Sequence, residues 1–153
     1  ADHITTAFPE VRLKRFLEMR GADSGPLGAL NALPALWVGL LYDQTALDAA
    51  WDLVKDWTAA DHDFLRAETP KSGLATLFRG RVLSELARDV VEIAHAGLRA
   101  RNRTNAEGAD ETMYLAPLDR AVASGQAPAD ELLARWHGEW KGSFAALFRD
   151  CAY

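Results

Sequence analysis

Two side chains, Glu18 and Arg20, are spaced so that a carboxylate and a guanidinium could act together on a metal ion and a phosphate. Both lie in VRLKRFLEMR, residues 11–20, whose apolar and charged positions alternate as in a strand. In an extended chain, residues two apart leave the same face with their origins about 7 Å apart, so a carboxylate-held cation and a guanidinium-held phosphate could sit side by side. A hard cation prefers oxygen ligands, and arginine presents a planar fork to phosphate. Laid out this way, Val11, Leu13, Leu17 and Met19 point one way and Arg12, Lys14, Phe16, Glu18 and Arg20 the other. The second face is too polar for a core. On spacing alone a solvated charged face is the alternative, because Glu-x-Arg is an ordinary surface pair.

Other reactive residues offer less. His62, His95 and His137 show no metal-ligand spacing with one another or with Cys151, which reads as surface or packing use. His3 differs in opening HITT, a polar cluster directly before the strand pattern. Cys151 has no activating neighbour in sequence. Phosphate-loop, dinucleotide-glycine, nucleophile-elbow and zinc patterns are all missing. The five tryptophans fall mostly on apolar faces, which favours core packing.

The elements that must position Glu18 and Arg20 are mainly helical. GADSGPLG, residues 21–28, is a glycine and proline loop, and ALNALPALWVGLLY, residues 29–42, reads as a buried helix that Pro34 opens or kinks. Asp43 or Thr45 can cap a following helix with Leu47, Ala50, Trp51 and Val54 on one face. Thr58 with Asp61 offers a second cap, for a helix that stops before Pro70. KSGLATLFRG, residues 71–80, reads as a loop. The clearest helix spans about 81–100, where Val82, Leu86, Val90, Ile93 and Gly97 recur at helical spacing. A polar, mobile stretch is expected over 99–111, then helices over 111–123 and 128–137, and a short apolar tail that packs back. One strand of ten residues, with only ITTAF before it as a second, leaves ladder groups unpaired. Its neighbours are therefore expected from an upstream part of the same chain, or from another copy pairing with residues 11–20.

Composition sets bounds on all of this. The 153 residues suit one domain, and 49% apolar content suffices for a core. Seventeen basic against 22 acidic residues give a net charge of −5, which argues against nucleic-acid and membrane-surface partners. No apolar run approaches the roughly 20 residues of a membrane span. A single cysteine suits a reducing compartment, and a cytoplasmic location is the expectation. The chain does not open with methionine, which fits processing of the start as well as a segment that begins inside a longer protein.

HITTAFPEVRLKRFLEMRGAD followed by ALPALWVGLLYD resembles the C-terminal third of the glutamate-cysteine ligases of the plant and proteobacterial type. DLVKDWTAADHDFLR, GLATLFRGRVL and PADELLARWHGEWKGSFAALFRDCAY extend the resemblance to nearly the whole chain. It implies an α+β parent fold, a catalytic domain related to glutamine synthetase, of which this segment is the mostly α-helical end with one or two N-terminal strands. Residues 1–28 would supply an active-site strand and loop, and residues 29–153 a helical segment of the same domain. The implied activity is ATP-dependent joining of the glutamate side-chain carboxylate to the amine of cysteine, through an acyl phosphate, as the first step of glutathione biosynthesis. ATP and Mg2+ are the implied cofactors, and glutamate, cysteine and ATP the implied partners. On the family's Glu-x-Arg strand, Glu18 is the implied magnesium ligand and Arg20 the catalytic contact to the transferring phosphate, with His3, Thr5 and Thr6 at the rim of the nucleotide site.

This sequence also departs from the pattern. Where plant-type members commonly read GADGGPWRRLCALPAFW, Ser24, Leu27, Gly28, Ala29 and Asn31 stand for glycine, tryptophan, two arginines and a cysteine. Asn31 removes the cysteine of the regulatory disulfide found in plant relatives, and the lost arginine pair removes two positive charges beside the implied site. Family members run to several hundred residues, so this chain alone is expected to be inactive. Two other readings stay open: a carboxylate-amine ligase for a different amine, and a free-standing helical binding or assembly module derived from such a ligase.

Overall fold

The computed structural model describes residues 10–152. The candidate strand over 11–20 is not one strand but a hairpin, β1 (Val11–Leu13) and β2 (Leu17–Met19), antiparallel with Val11 opposite Met19, Arg12 opposite Glu18 and Leu13 opposite Leu17. Folding back gives the ladder groups a partner within the chain itself. The N–H of Lys14 donates across the turn to the Phe16 carbonyl at 2.9 Å, and the N–H of Arg20 to the Glu10 carbonyl at 2.8 Å. ITTAF, residues 4–8, the other candidate strand, lies outside the described residues.

Helices make up most of the rest. They are α1 (Leu27–Leu41), α2 (Gln44–Val54), α3 (Ala59–Ser72), α4 (Leu83–Arg101), α5 (Ala116–Ser124), α6 (Pro128–His137) and α7 (Phe144–Cys151). Local chemistry explains several boundaries. Asp43 caps α2 by accepting the Ala46 N–H at 2.9 Å. Thr58 and Asp61 form a reciprocal capping box on α3, with the Thr58 N–H to Asp61 Oδ2 at 2.8 Å and the Asp61 N–H to Thr58 Oγ1 at 3.2 Å. Asn102 closes α4 in the left-handed conformation, a role short polar side chains fill more easily than branched ones.

The structure corrects four sequence-based expectations. The helix expected to stop before Pro70 runs through it to Ser72, while Pro34 lies inside α1 rather than opening it. The 71–80 loop contains a 3-10 turn, Gly73–Ala75, and begins a second hairpin, β3 (Leu77–Phe78) with β4 (Arg81–Val82). Arg79 and Gly80 both have positive φ, 49° and 80°, which is the tight two-residue turn whose twist matches paired strands. The polar stretch after α4 is tied rather than loose: Asn105 Oδ1 accepts the N–H groups of Glu107 and Ala109 at 3.1 and 2.9 Å. Finally, the helix expected over 111–123 starts as a 3-10 turn, Glu111–Leu115, with Pro117 in the first turn of α5 where its missing N–H costs nothing.

The core is built where α1 crosses α4. Ala35, Leu40, Ala94, Leu98 and Leu115 are buried there, with Leu36, Trp37, Val90 and Ile93 packed around them. The two backbones approach so closely at the crossing that a Cβ on Gly97 would stand 1.9 Å from the Gly39 carbonyl oxygen. Glycine is required at both positions for steric reasons. The tryptophans mostly pack as expected, Trp140 being buried, Trp37 set against this core and Trp57 against Phe78, whereas Trp51 on α2 is 61% exposed. The tail packs back as α7 on α6, with Asp150 Oδ2 accepting from Trp140 Nε1 at 2.8 Å and Arg135 Nη2 at 2.9 Å, and Trp136 against Phe144 with ring centroids 4.9 Å apart.

Candidate functional site

The β1–β2 ribbon brings together four of the five residues assigned to the polar face. Because cross-strand partners on an antiparallel ribbon project from the same face, the Arg12–Glu18 pairing sets guanidinium against carboxylate, and Arg12 Nε donates to Glu18 Oε2 at 2.6 Å. Lys14 Nζ stands 3.9 Å from the same oxygen. Arg12 and Glu18 side chains are both about one-third exposed, at 39% and 31%. The hydrogen bond from Arg12 holds the Glu18 carboxyl below the usual carboxylate range, aided by the charges of Arg12, Lys14 and Arg20 and opposed by partial desolvation. Arg20 follows β2 directly, half-buried, and its charge acts on Glu18.

The ribbon is also tethered. Glu10 Oε1 accepts from Arg66 Nη2 at 2.9 Å and Nε at 3.2 Å, linking the start of β1 to α3. Gly28 and Ala29, at the places of the absent arginines, lie in the first turn of α1, just beyond the loop that leaves Arg20.

The donor set decides what this face can hold. Among the described residues no group of three or more His, Cys, Asp or Glu side chains could hold a metal ion, so a closed metal cage is not present there. What is present is one ionised carboxylate among three cations, Arg12, Lys14 and Arg20. Magnesium is ordinarily bound through one or two carboxylates with substrate phosphates and water completing its shell. Glu18 fits the carboxylate share of such a site, and the surrounding cations fit the phosphates.

The remaining candidates separate from it. His3, Thr5 and Thr6 lie outside the described residues. His62 packs on Trp57 with ring centroids 5.6 Å apart, and His95 Nε2 is 2.8 Å from Asp119 Oδ1, so both have the packing or hydrogen-bonding roles expected of them. Arg12 and Lys14 were legible only as members of the polar face. The signal that could have promoted Arg12 is the equal distance of residues 12 and 18 from the turn centre at Arg15, visible once a hairpin is assumed.

A mostly helical segment carrying a cationic ribbon around a single carboxylate is the class that fold and site define. Comparison with known proteins makes the class specific: residues 1–150 match the model of glutamate-cysteine ligase family 2 (GCS2), and the chain belongs to that family. It is 48% identical over 152 residues to the chloroplastic glutamate-cysteine ligase of Solanum lycopersicum, and 47% identical to that of Arabidopsis thaliana. Each alignment covers 99% of this chain and 28% of the relative. An Oryza sativa subsp. indica glutamate-cysteine ligase A, also chloroplastic, is 42% identical over 30% of its length. The chain thus spans under a third of the length of the curated relatives it matches. No solved structure matches it.

These relatives overturn the cytoplasmic expectation, since they are chloroplastic enzymes. The inference from one cysteine was too narrow: a lone thiol reports a reducing milieu, which is not an address.

Proposed function

We propose that this chain is the C-terminal segment of an ATP-dependent glutamate-cysteine ligase, contributing residues 1–28 to the nucleotide site and residues 29–153 as its helical support within one α+β, glutamine synthetase-like domain. The observation that carries this reading is the ribbon face, where Arg12, Lys14 and Arg20 surround Glu18 on a chain of net charge −5. Local positive surplus on an acidic protein is what a polyphosphate needs.

The chemistry follows from the difficulty of the bond. Carboxylate and amine do not condense unaided at neutral pH, so one must be activated and the other held in line. An oxygen of the glutamate side-chain carboxylate attacks the γ-phosphorus of ATP, the bond to the bridging oxygen breaks, and ADP leaves. The cysteine amine then attacks the acyl-phosphate carbon, loses a proton, and displaces phosphate. Bound magnesium supplies charge neutralisation on the triphosphate. In this chain Glu18 would hold the cation and Arg20 would contact the transferring phosphate, where charge builds in the transition state. By the family resemblance, His3, Thr5 and Thr6 would belong to the rim of the same site.

The 153-residue chain alone is inactive on this reading, because the glutamate-binding groups and further metal ligands belong to the rest of the ligase. The test is ADP formation by the complete ligase and by the 153-residue chain, each with glutamate and with a panel of amines. The expected result is turnover by the complete enzyme with cysteine preferred, and none by the segment. Preference for another amine would leave a ligase but remove cysteine as the substrate, and glutamate- and cysteine-dependent ADP from the segment would refute its role as a part.

A further inference from the structure

We propose that Arg12 is a further residue of the nucleotide site, one that competes with the divalent cation for the Glu18 carboxylate and so couples arrival of the metal to arrival of phosphate. This inference rests on the nucleotide-site reading given above.

The geometry is direct. Arg12 is the cross-strand partner of Glu18, not a neighbour that happens to reach it, and its Nε–H already occupies Glu18 Oε2 at 2.6 Å. A divalent cation bonding the same carboxylate at about 2.0–2.1 Å would face that guanidinium at close range, cation against cation. At either carboxylate oxygen the metal stands in repulsion with the Arg12 guanidinium, so metal binding favours withdrawal of Arg12. In the nucleotide-free protein withdrawal exchanges a charge-assisted hydrogen bond for water. With a triphosphate bound, the displaced guanidinium meets phosphate oxygens and regains a bond of the same kind.

The charge count supports this. Neutralising Glu18 needs one cation, yet Arg12 and Lys14 stand 2.6 and 3.9 Å from the same Glu18 oxygen. The surplus is matched by an anion carrying several charges together with one metal ion. Free metal and metal-free nucleotide are each poorer fits than the two together.

The test uses the complete ligase and two probes: Mn2+ without nucleotide, followed by its paramagnetic signal, and ATP with chelator present. Relative to the wild type, Arg12→Gln is expected to bind nucleotide-free Mn2+ roughly tenfold more tightly and metal-free ATP roughly tenfold more weakly, about the size of one charge-assisted contact. Arg12→Lys is expected to fall between, and Glu18→Gln combined with Arg12→Gln to abolish the gain in Mn2+ affinity. Opposite signs are the signature, because a residue that only braces the ribbon would weaken both ligands together. Both affinities falling, or neither changing, overturns the inference while leaving the ligase reading intact. Absence of ATP binding by the wild-type ligase overturns that reading and this inference with it.

Discussion

The placement of single residues on the ribbon was legible because alternation survives a fold-back. Cross-strand partners are 11 with 19, 12 with 18 and 13 with 17, so odd positions still meet odd and even meet even. The assignment of Glu18, Arg12 and Lys14 to one face therefore held although the continuous strand did not. The turn itself was hidden because Lys14, Arg15 and Phe16 include none of the glycine, asparagine or proline that announces a hairpin. At this scale acid is the natural perturbation. Glu18 is depressed below its ordinary value of 4.5 chiefly by Arg12, Asp150 below 3.8 chiefly by Arg149 and Trp140, and Asp61 below 3.8 by its Thr58 cap bonds. A depressed folded-state value means stability that is complete above the ordinary value and lost as pH falls through the folded one. Stability should therefore be flat from neutrality to about pH 5 and fall below it, and Glu18→Gln together with Asp150→Asn should flatten that acid limb in denaturant titrations run at successive pH values.

At the level of elements, sequence signals worked wherever local chemistry decides. The caps at Asp43 and Thr58 and the start of α6 at Pro128 came straight from residue type. They failed where a wider context overrides a local rule. Pro70 is tolerated within α3, and the Arg79–Gly80 turn carries an arginine in a left-handed conformation usually given to glycine or asparagine. Asn105 organises its loop through its own side chain, a bond that composition does not reveal. Two predictions belong here. Gly97→Ala should lower stability by at least about 2 kcal/mol, since its Cβ would meet the Gly39 carbonyl at 1.9 Å and α1 and α4 must part. By contrast Thr58→Ala should cost only about 1 kcal/mol, the ordinary worth of an N-cap. Thermal unfolding of both variants side by side checks the ranking, and equal shifts would mean that the helix crossing adapts.

For the whole molecule, the surface shows what the elements do not. Leu13 is 79% exposed, Leu27 71% and Phe148 69%, an unusual amount of bare apolar side chain for a domain that stands alone. The relatives are more than three times as long as this chain, and on the proposed reading further polypeptide of a complete ligase would cover these side chains. Family and helical content were readable from sequence, but the fold-back that pairs β1 with β2 and the compartment were not, because no turn residue marks the first and one cysteine carries no address for the second. In the isolated segment, amide exchange should be fast over 11–20 and slow over the α1–α4 crossing, since a two-stranded ribbon has little support of its own. Protection of the ribbon equal to that of the crossing would contradict its dependence on the rest of the chain.

The most direct test of the nucleotide-site assignment is equilibrium binding of ATP with magnesium to the complete ligase, comparing the wild type with Arg20→Ala and Glu18→Ala. Each substitution is expected to weaken binding roughly 10- to 100-fold, the size of a lost charge-assisted contact, without a matching loss of fold. Unchanged affinity in both variants would contradict the assignment and return the ribbon's charged face to the solvent.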